Sequence, residues 1–144
     1  MDRALRALSH TLGPAAFPVW SSPEDVLVEP AFEYRVQCIG TQVQCFKHER
    51  GDMFKSNLGL EDLEQLGAVG FEPLEVEAKH IAWCDACRPL WGGLSFFALD
   101  VVRQQNGRDA ILELNPTVNA FMYGSEDVAY ARLRDLIISK LQQA

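Results

Sequence analysis

The sequence lacks several features that would direct the chain to a membrane or to nucleic acid. No apolar run approaches the ~20 residues of a membrane-spanning helix, and the first residues, MDRALRALSH, lack the unbroken apolar core of a secretory signal. Lys and Arg number 13 against 20 Asp and Glu, which gives a net charge of −7 and argues against broad binding to a phosphate backbone. What remains is a chain of 144 residues, 48% hydrophobic and 23% charged, as in ordinary folded domains. These features predict a soluble, cytoplasmic protein with no nucleic-acid partner and no membrane span.

Four cysteines raise the question of a metal or redox site: Cys38, Cys45, Cys84 and Cys87. Without a secretion signal they are expected to be reduced. His80 would share a helix face with the C-x-x-C pair, which suits zinc, but a lone C-x-x-C is a weak indication. The favoured interpretation is buried structural thiols, and a small zinc or redox protein is the alternative.

Periodicity and turn residues predict an α+β fold, with an antiparallel sheet flanked by helices. The predicted helices cover residues 2–12, Glu61–Leu66, Leu74–Trp91 and Glu126–Gln143, the last with Ile137 and Leu141 facing inward. The predicted strands are Asp25–Pro30, Phe32–Ile39, Gln42–His48, Leu94–Val102 and Asp109–Asn115.

The last two predicted strands bring two acidic residues together. If Asn106-Gly107 forms a two-residue hairpin loop, Asp100 stands directly opposite Glu113, with Cβ atoms about 4.5–5.5 Å apart. Asn115 lies two residues beyond Glu113 and therefore shares its face.

Two like charges in this position should destabilise a sheet. A divalent cation would reverse that effect, and Asp, Glu and Asn supply the hard oxygen ligands that Mg²⁺ prefers. The alternative is a solvated edge that tolerates mild repulsion, and spacing alone does not decide between the two.

Several segments together resemble a known family. GGLSFFALDVV, NGRDAILELN, EYRVQCIG and FKSNLG stand in the order found in the C-terminal part of ATP-grasp proteins. The resemblance covers roughly residues 26–142. The sequence is most similar to the synapsin ATP-binding domain, with which it shares the patterns YRVQ-x-IG and GGL…GRD-x-I-x-E. It is also similar to a second branch, the ribosomal-protein glutamate ligases.

The resemblance implies a function and a metal site. ATP-grasp ligases activate a carboxylate as an acyl phosphate with ATP and Mg²⁺, after which an amine attacks. Asp100, Glu113 and Asn115 would hold Mg²⁺, or Mn²⁺ in its place. Glu113-x-Asn115 matches the E-x-N of the ligases at a position where synapsins depart from it.

The resemblance also implies catalytic and nucleotide-binding roles outside the metal set. Arg35, in a strand where Glu33 replaces the family's Asp, would contact phosphate or a substrate carboxylate. The alternative is a surface arginine paired with Glu33 or a neighbouring acid. Asn57 would lie near the γ-phosphate, or otherwise be a turn former.

Three further residues are candidates for nucleotide binding. Val28 and Glu29 lie in a segment that resembles the hinge strand reading adenine and ribose. Lys47 stands where relatives carry a phosphate-contacting arginine. A two-residue turn at Gly40-Thr41 would place Lys47 on the sheet face opposite Arg35, whereas a three-residue loop would place both on the same face, and the sequence does not decide between the two registers.

A complete ATP-grasp fold has an earlier subdomain with a lysine and a Gly-rich loop over the phosphates. Residues 1–24 are expected to form only a helix and loop without lysine, and residues 25–144 the nucleotide- and metal-binding subdomain. We therefore expect part of the ATP-binding cleft to be missing and the chain not to be active alone. Expected partners are ATP, a carboxylate substrate, an amine acceptor, and a second copy or another protein that completes the cleft. The alternative is a non-catalytic, synapsin-like regulatory or interaction module.

Overall fold

The computed structural model of the protein describes residues 3–20, 30–48, 71–116 and 126–143. Within these ranges the helices are α1 (Arg3–Leu12), α2 (Ala78–Cys87) and α3 (Glu126–Gln142), with a short 3₁₀ helix at Leu90–Gly92. The strands are β1 (Pro30–Ile39), β2 (Gln42–His48), β3 (Phe71–Leu74), β4 (Phe96–Gln104) and β5 (Asp109–Asn115). The predicted helix Glu61–Leu66, and the predicted strand Asp25–Pro30 except for Pro30, lie outside the described residues. No helix in the described part of the chain is long and apolar enough to cross a membrane.

In the described residues, five strands form one antiparallel sheet in the order β3-β2-β1-β4-β5. This confirms the predicted α+β architecture. The predicted turn at Gly40-Thr41 is also confirmed, because Ile39 pairs with Gln42 across it. Gly40 has a φ of +60°, which glycine adopts without strain. In the strand order of the sheet, β1 is the central strand and pairs with β4, although the two strands are far apart in sequence.

The predicted helix over Leu74–Trp91 is wrong at its start. Phe71–Leu74 is the edge strand β3, and Pro73, which has no N–H to donate, is tolerated at such an edge. The helix begins only after Glu77, whose side chain accepts the N–H of His80 while His80 accepts the N–H of Glu77.

One face of the sheet carries the hydrophobic core, against α1, α2 and the segment after α1. Leu5, Phe17 and Trp83 are fully or almost fully buried there. The Trp83 indole N–H donates to the carbonyl of Ala16 at 2.8 Å, and so ties α2 to the N-terminal segment. Val19 then makes a parallel bridge to Ile111 at the β5 edge.

α3 packs beside the β1–β2 turn, where Leu136 Cδ1 would lie 3.5 Å from a Cβ added at Gly40. Ile137 and Leu141 are exposed, at 50% and 72%, so the predicted inward orientation of these two side chains is wrong. Helical spacing places Leu136, Ile137 and Leu141 towards one side of α3. It does not show which of these side chains the sheet covers, and Ile137 and Leu141 are left exposed.

A buried chain of polar groups joins α2 to the sheet. His80 Nδ1 accepts the backbone N–H of Glu77 at 3.0 Å, so the ring proton lies on Nε2, which donates to Tyr34 Oη at 3.3 Å. Burial, followed by the charge of Asp109, raises the pKa of Tyr34 and keeps its hydroxyl protonated. The result is a neutral imidazole within the core.

Lowering the pH is expected to destabilise the fold through His80. Burial, and after it the positive charge of Lys79, lowers the pKa of this imidazole. Below pH ~6.5 the unfolded chain therefore binds a proton that the folded chain does not. The free energy of unfolding should fall with decreasing pH by at most about 1.4 kcal/mol per unit, measured by urea unfolding between about pH 8 and 5.

His80→Gln should flatten this pH dependence, because the substituted side chain does not titrate. His10→Gln is the matched control, since it removes an exposed histidine on α1 in place of the buried one. Equal slopes in the two variants would contradict the assignment.

Candidate functional site

The sheet face opposite the core carries a cluster of polar side chains from three adjacent strands. Arg35 lies on β1, Asp100 on β4, and Glu113 and Asn115 on β5. Alternation along each strand places these residues on one face, away from Val36 and the rest of the core. The fold therefore gathers all three residues proposed for metal binding with the arginine.

The predicted pairing of Asp100 with Glu113 is confirmed, although the hairpin reaches it by a different route. Arg103 pairs with Asp109 and Gln104 N–H donates to the Arg108 carbonyl at 2.8 Å, so the loop has three residues rather than two. Gly107, with φ of +81°, closes that loop.

A β-bulge on β5 compensates for the longer loop. Val101 pairs with Ile111, whereas Asp100 pairs with Glu113, so Leu112 is the extra residue. The extra residue of a bulge shifts the register by one, so the side chains that follow it change to the other face of the sheet. Without it, the three-residue loop would have set Asp100 opposite Leu112, with Glu113 on the core face.

Asp100 is held by a bidentate ion pair with Arg35. Arg35 Nε donates to Asp100 Oδ1 at 2.6 Å and Nη2 donates to Oδ2 at 3.0 Å. The Asp100 side chain is only 2% exposed and that of Arg35 is 15% exposed. The alternative that Arg35 pairs with a neighbouring acid therefore describes this contact, because Asp100 is such an acid on the adjacent strand β4.

Asn115 joins the two carboxylates. Its amide nitrogen lies 2.8 Å from Asp100 Oδ2 and 3.1 Å from Glu113 Oε1, and it donates to both. Glu113 is exposed, so its side chain can reach solvent or a ligand while remaining tied to the buried Asp100.

Negative charge dominates this face. Glu33 lies two residues before Arg35 on the same strand, and burial, followed by the charge of Asp100, raises its pKa. Among the described residues, this face thus carries the carboxylates of Glu33, Asp100 and Glu113 together with the Arg35 guanidinium. An excess of buried or half-buried negative charge is the setting in which an additional cation is stabilising.

The oxygen donors of this cluster are of the chemical type that Mg²⁺ prefers. Asp100 and Glu113 offer carboxylate oxygens, and Asn115 offers a carbonyl oxygen if its amide turns over. Among the described residues, no group of three or more His, Cys, Asp and Glu side chains is arranged to hold a metal. Two carboxylates and an amide do not complete six-coordination, but Mg²⁺ commonly takes one or two carboxylates and completes its shell with phosphate and water.

Lys47 does not join this cluster. It pairs with Tyr34 across β1 and β2, and therefore lies on the opposite face from Arg35, as the turn at Gly40-Thr41 predicts. There it forms an ion pair with Glu72 at 3.3 Å and lies 5.4 Å from the centre of the Phe32 ring. Val28, Glu29 and Asn57 lie outside the described residues.

Gln37 belongs to the polar face but was not singled out in the sequence. It is buried, lies two residues after Arg35, and pairs with Ala98, the residue that also pairs with Asn115. Its position at an even interval from Arg35 is the signal that could have identified it.

The four cysteines are free and buried, and the predicted burial of these thiols is thus confirmed. Burial, followed by the charge of Glu77, raises the pKa of Cys45 to about 12, so this thiol stays protonated beside His80 Nδ1, 3.3 Å away. A hydrogen bond with Cys38, followed by burial, raises the pKa of Cys84.

Breaking the Arg35–Asp100 pair is expected to be costly. Arg35→Gln leaves a buried carboxylate without its counter-ion and should lower the free energy of unfolding by about 3–5 kcal/mol. Asp100→Asn should also destabilise, whereas the double variant should recover part of the loss because both partners are then neutral. Urea unfolding of the four proteins gives the coupling energy, and a coupling below about 0.5 kcal/mol would contradict the importance of the pair.

Two solved structures are similar in fold. One is described as "Structure of ATP-grasp ligase PsnB complexed with phosphomimetic variant of minimal precursor, Mg, and ADP"; it is 18% identical with a TM-score of 0.50, and the match covers 80% of this chain and 34% of that one. The other, "Structure of ATP-grasp ligase PsnB complexed with minimal precursor", is 19% identical with a TM-score of 0.45, and covers 69% of this chain and 29% of that one. The chain thus spans about a third of the length of the ligase that it matches.

The sheet and its helices have the architecture of the C-terminal part of an ATP-grasp protein. A family model described as "Synapsin, ATP binding domain" matches residues 16–143. That match includes every described strand and the whole polar cluster, from Arg35 to Asn115. Since it covers most of the chain, the protein belongs to the synapsin ATP-binding-domain family.

Proposed function

We propose that this chain is the ATP- and Mg²⁺-binding part of an ATP-grasp protein, derived from an ATP-dependent carboxylate–amine ligase that acts through an acyl phosphate. The observation that carries the proposal is the convergence of Arg35, Asp100, Glu113 and Asn115 on one sheet face. A cationic fork beside two carboxylates and an amide suits the phosphates of a metal–nucleotide complex.

Asp100, Glu113 and Asn115 are the residues that would hold Mg²⁺ or Mn²⁺. The ion, when bound, neutralises phosphate charge. The hydrogen bonds that Asn115 donates to both carboxylates keep their oxygens close together, which limits the rearrangement needed for them to share one ion. Burial of Asp100 fixes its orientation, whereas Glu113 stays exposed.

Arg35 would orient a phosphate or a substrate carboxylate. Its guanidinium fork, which holds Asp100 in this structure, matches the geometry of either oxyanion. Family resemblance adds Val28, Glu29 and Asn57 as nucleotide contacts. The proposal does not use Lys47, whose side chain lies on the other face of the sheet.

A second candidate function is a non-catalytic regulatory or interaction module that binds nucleotide without turning it over. The family match to the synapsin ATP-binding domain favours it, whereas the Glu113-x-Asn115 pattern favours ligase descent. Because the chain spans about a third of the matched ligase, we further propose that catalysis needs a polypeptide outside this chain. The carboxylate substrate, the amine acceptor and a cytoplasmic location belong to the same proposal.

The central test is titration with a fluorescent ATP analogue in the presence and absence of Mg²⁺. We expect binding that depends on Mg²⁺ and that weakens at least about tenfold in Glu113→Gln, because a metal oxygen ligand is lost. Asp100→Asn should show a similar loss where circular dichroism confirms that it is folded.

Glu72→Gln is the matched control for these acidic variants. It removes one exposed carboxylate from β3, where the partner is Lys47 and not the polar cluster. Nucleotide affinity should be unchanged in this control. Unchanged affinity in both Asp100→Asn and Glu113→Gln would show that the assigned metal ligands are wrong.

A further inference from the structure

The cation nearest to Asp100 in this structure belongs to the protein itself. We propose that Arg35 holds the cation position on Asp100 and must release it before a divalent metal can bind there, so that metal binding depends on the nucleotide. This inference rests on the proposed function and assigns Arg35 a positioning role in addition to phosphate contact.

Acceptor capacity on Asp100 supports the first step. A carboxylate offers about four lone-pair sites, and the two bonds from Arg35 and one from Asn115 use at least three of them. The side chain is almost completely buried, so solvent offers little help in rearranging these bonds. About one acceptor site therefore remains for a metal ion, so ligation through both carboxylate oxygens requires one of these donors to leave.

Charge supports the second step. A guanidinium held 2.6 Å and 3.0 Å from the two Asp100 oxygens would be a close neighbour of any metal on the same carboxylate. Like charges in a half-buried setting repel strongly because screening by water is weak. The metal alone therefore has to displace Arg35, and the guanidinium then gives up its bidentate pair with Asp100.

Phosphate provides that compensation. A guanidinium fork binds phosphate with the same bidentate geometry that it uses for a carboxylate. A nucleotide phosphate near the sheet face could take over the Arg35 donors while Mg²⁺ takes over the Asp100 oxygens. Two alternative pairings of the same groups thus couple the two ligands, and the coupling acts equally in both directions.

Asn115 would change together with Arg35. In this structure its amide nitrogen faces both carboxylates and donates to each of them. Metal ligation requires its carbonyl oxygen instead, so the amide must turn. The donors from β1 and β5 onto Asp100 therefore both rearrange in the same transition.

The test measures Mn²⁺ binding without nucleotide, by the loss of the free-ion electron paramagnetic resonance signal. Arg35→Gln should bind Mn²⁺ at least tenfold more tightly than the wild type, because the competing cation is gone. Arg35→Lys should remain weak, since it keeps a positive charge near Asp100. Arg134→Gln is the matched control, because it removes one arginine charge from an exposed site on α3.

The inference is wrong if folded Arg35→Gln binds Mn²⁺ no more tightly than the wild type or Arg134→Gln. A gain of metal affinity cannot arise from a merely structural role of Arg35, which would only weaken binding. Because this experiment contains no nucleotide, it is independent of the ATP titration. If the wild type binds nucleotide but Arg35→Gln does not bind Mn²⁺ more tightly, the inference is overturned and the proposed function is not. If Arg35→Gln binds Mn²⁺ more tightly but the wild type does not bind nucleotide, the place of Arg35 on Asp100 is supported and the proposed function is overturned.

A wild-type measurement covers the case in which Arg35→Gln does not fold. The Arg35 Nε–H should give a distinct ¹H–¹⁵N resonance, because it donates a short bond to a buried carboxylate. Mg²⁺ alone should leave this resonance in place, whereas ADP with Mg²⁺ should shift it. An equal shift with Mg²⁺ alone, or none with ADP and Mg²⁺ at saturation, would overturn the inference.

Discussion

The Asp100 carboxylate is almost completely buried in the centre of the sheet, and this constrains everything around it. A buried charge is strongly destabilising unless a counter-ion and hydrogen bonds surround it. Arg35 and Asn115 meet that requirement from the strands on either side. The strand order β1-β4-β5 is therefore also the condition under which Asp100 can exist as an anion.

The same requirement explains the irregular hairpin. A three-residue loop closed by Gly107 would by itself turn Glu113 towards the core, where a second carboxylate would lack a partner. The extra residue Leu112 restores the alternation, so Glu113 and Asn115 emerge on the polar face. The bulge thus leaves Ile111 on the core side of β5 and places Glu113 and Asn115 on the same face as Asp100.

Local signals predicted much of the fold because they act over a few residues. The bounds of Gln42–His48 and Asp109–Asn115, and the turn at Gly40-Thr41, are confirmed. β3 escaped prediction because Pro73 is untypical of a strand and is tolerated only at an edge. The pairing of Asp100 with Glu113 was predicted correctly from a wrong loop length, since the unforeseen bulge cancelled the error.

The contact that matters most for the candidate site could not be predicted in this way. Arg35 and Asp100 are 65 residues apart, and no turn residue or periodicity sets β1 beside β4. Their pairing follows from tertiary packing, in which Tyr34 and its neighbours bury one face of the sheet and leave Arg35 on the other. The family resemblance implied that Arg35 contacts phosphate or a substrate carboxylate, and the alternative was that it pairs with an acid of the chain.

Those two roles are compatible once the cost of burying Asp100 is considered. A metal ligand as buried as Asp100 needs a counter-ion whenever the metal is absent, or its burial would oppose folding. An arginine suits this purpose better than a lysine, because its fork satisfies both carboxylate oxygens and can later satisfy a phosphate in the same geometry. Stability without ligand and recognition of ligand therefore call for the same residue type at the same position, which is why the ion pair seen here does not argue against a nucleotide site.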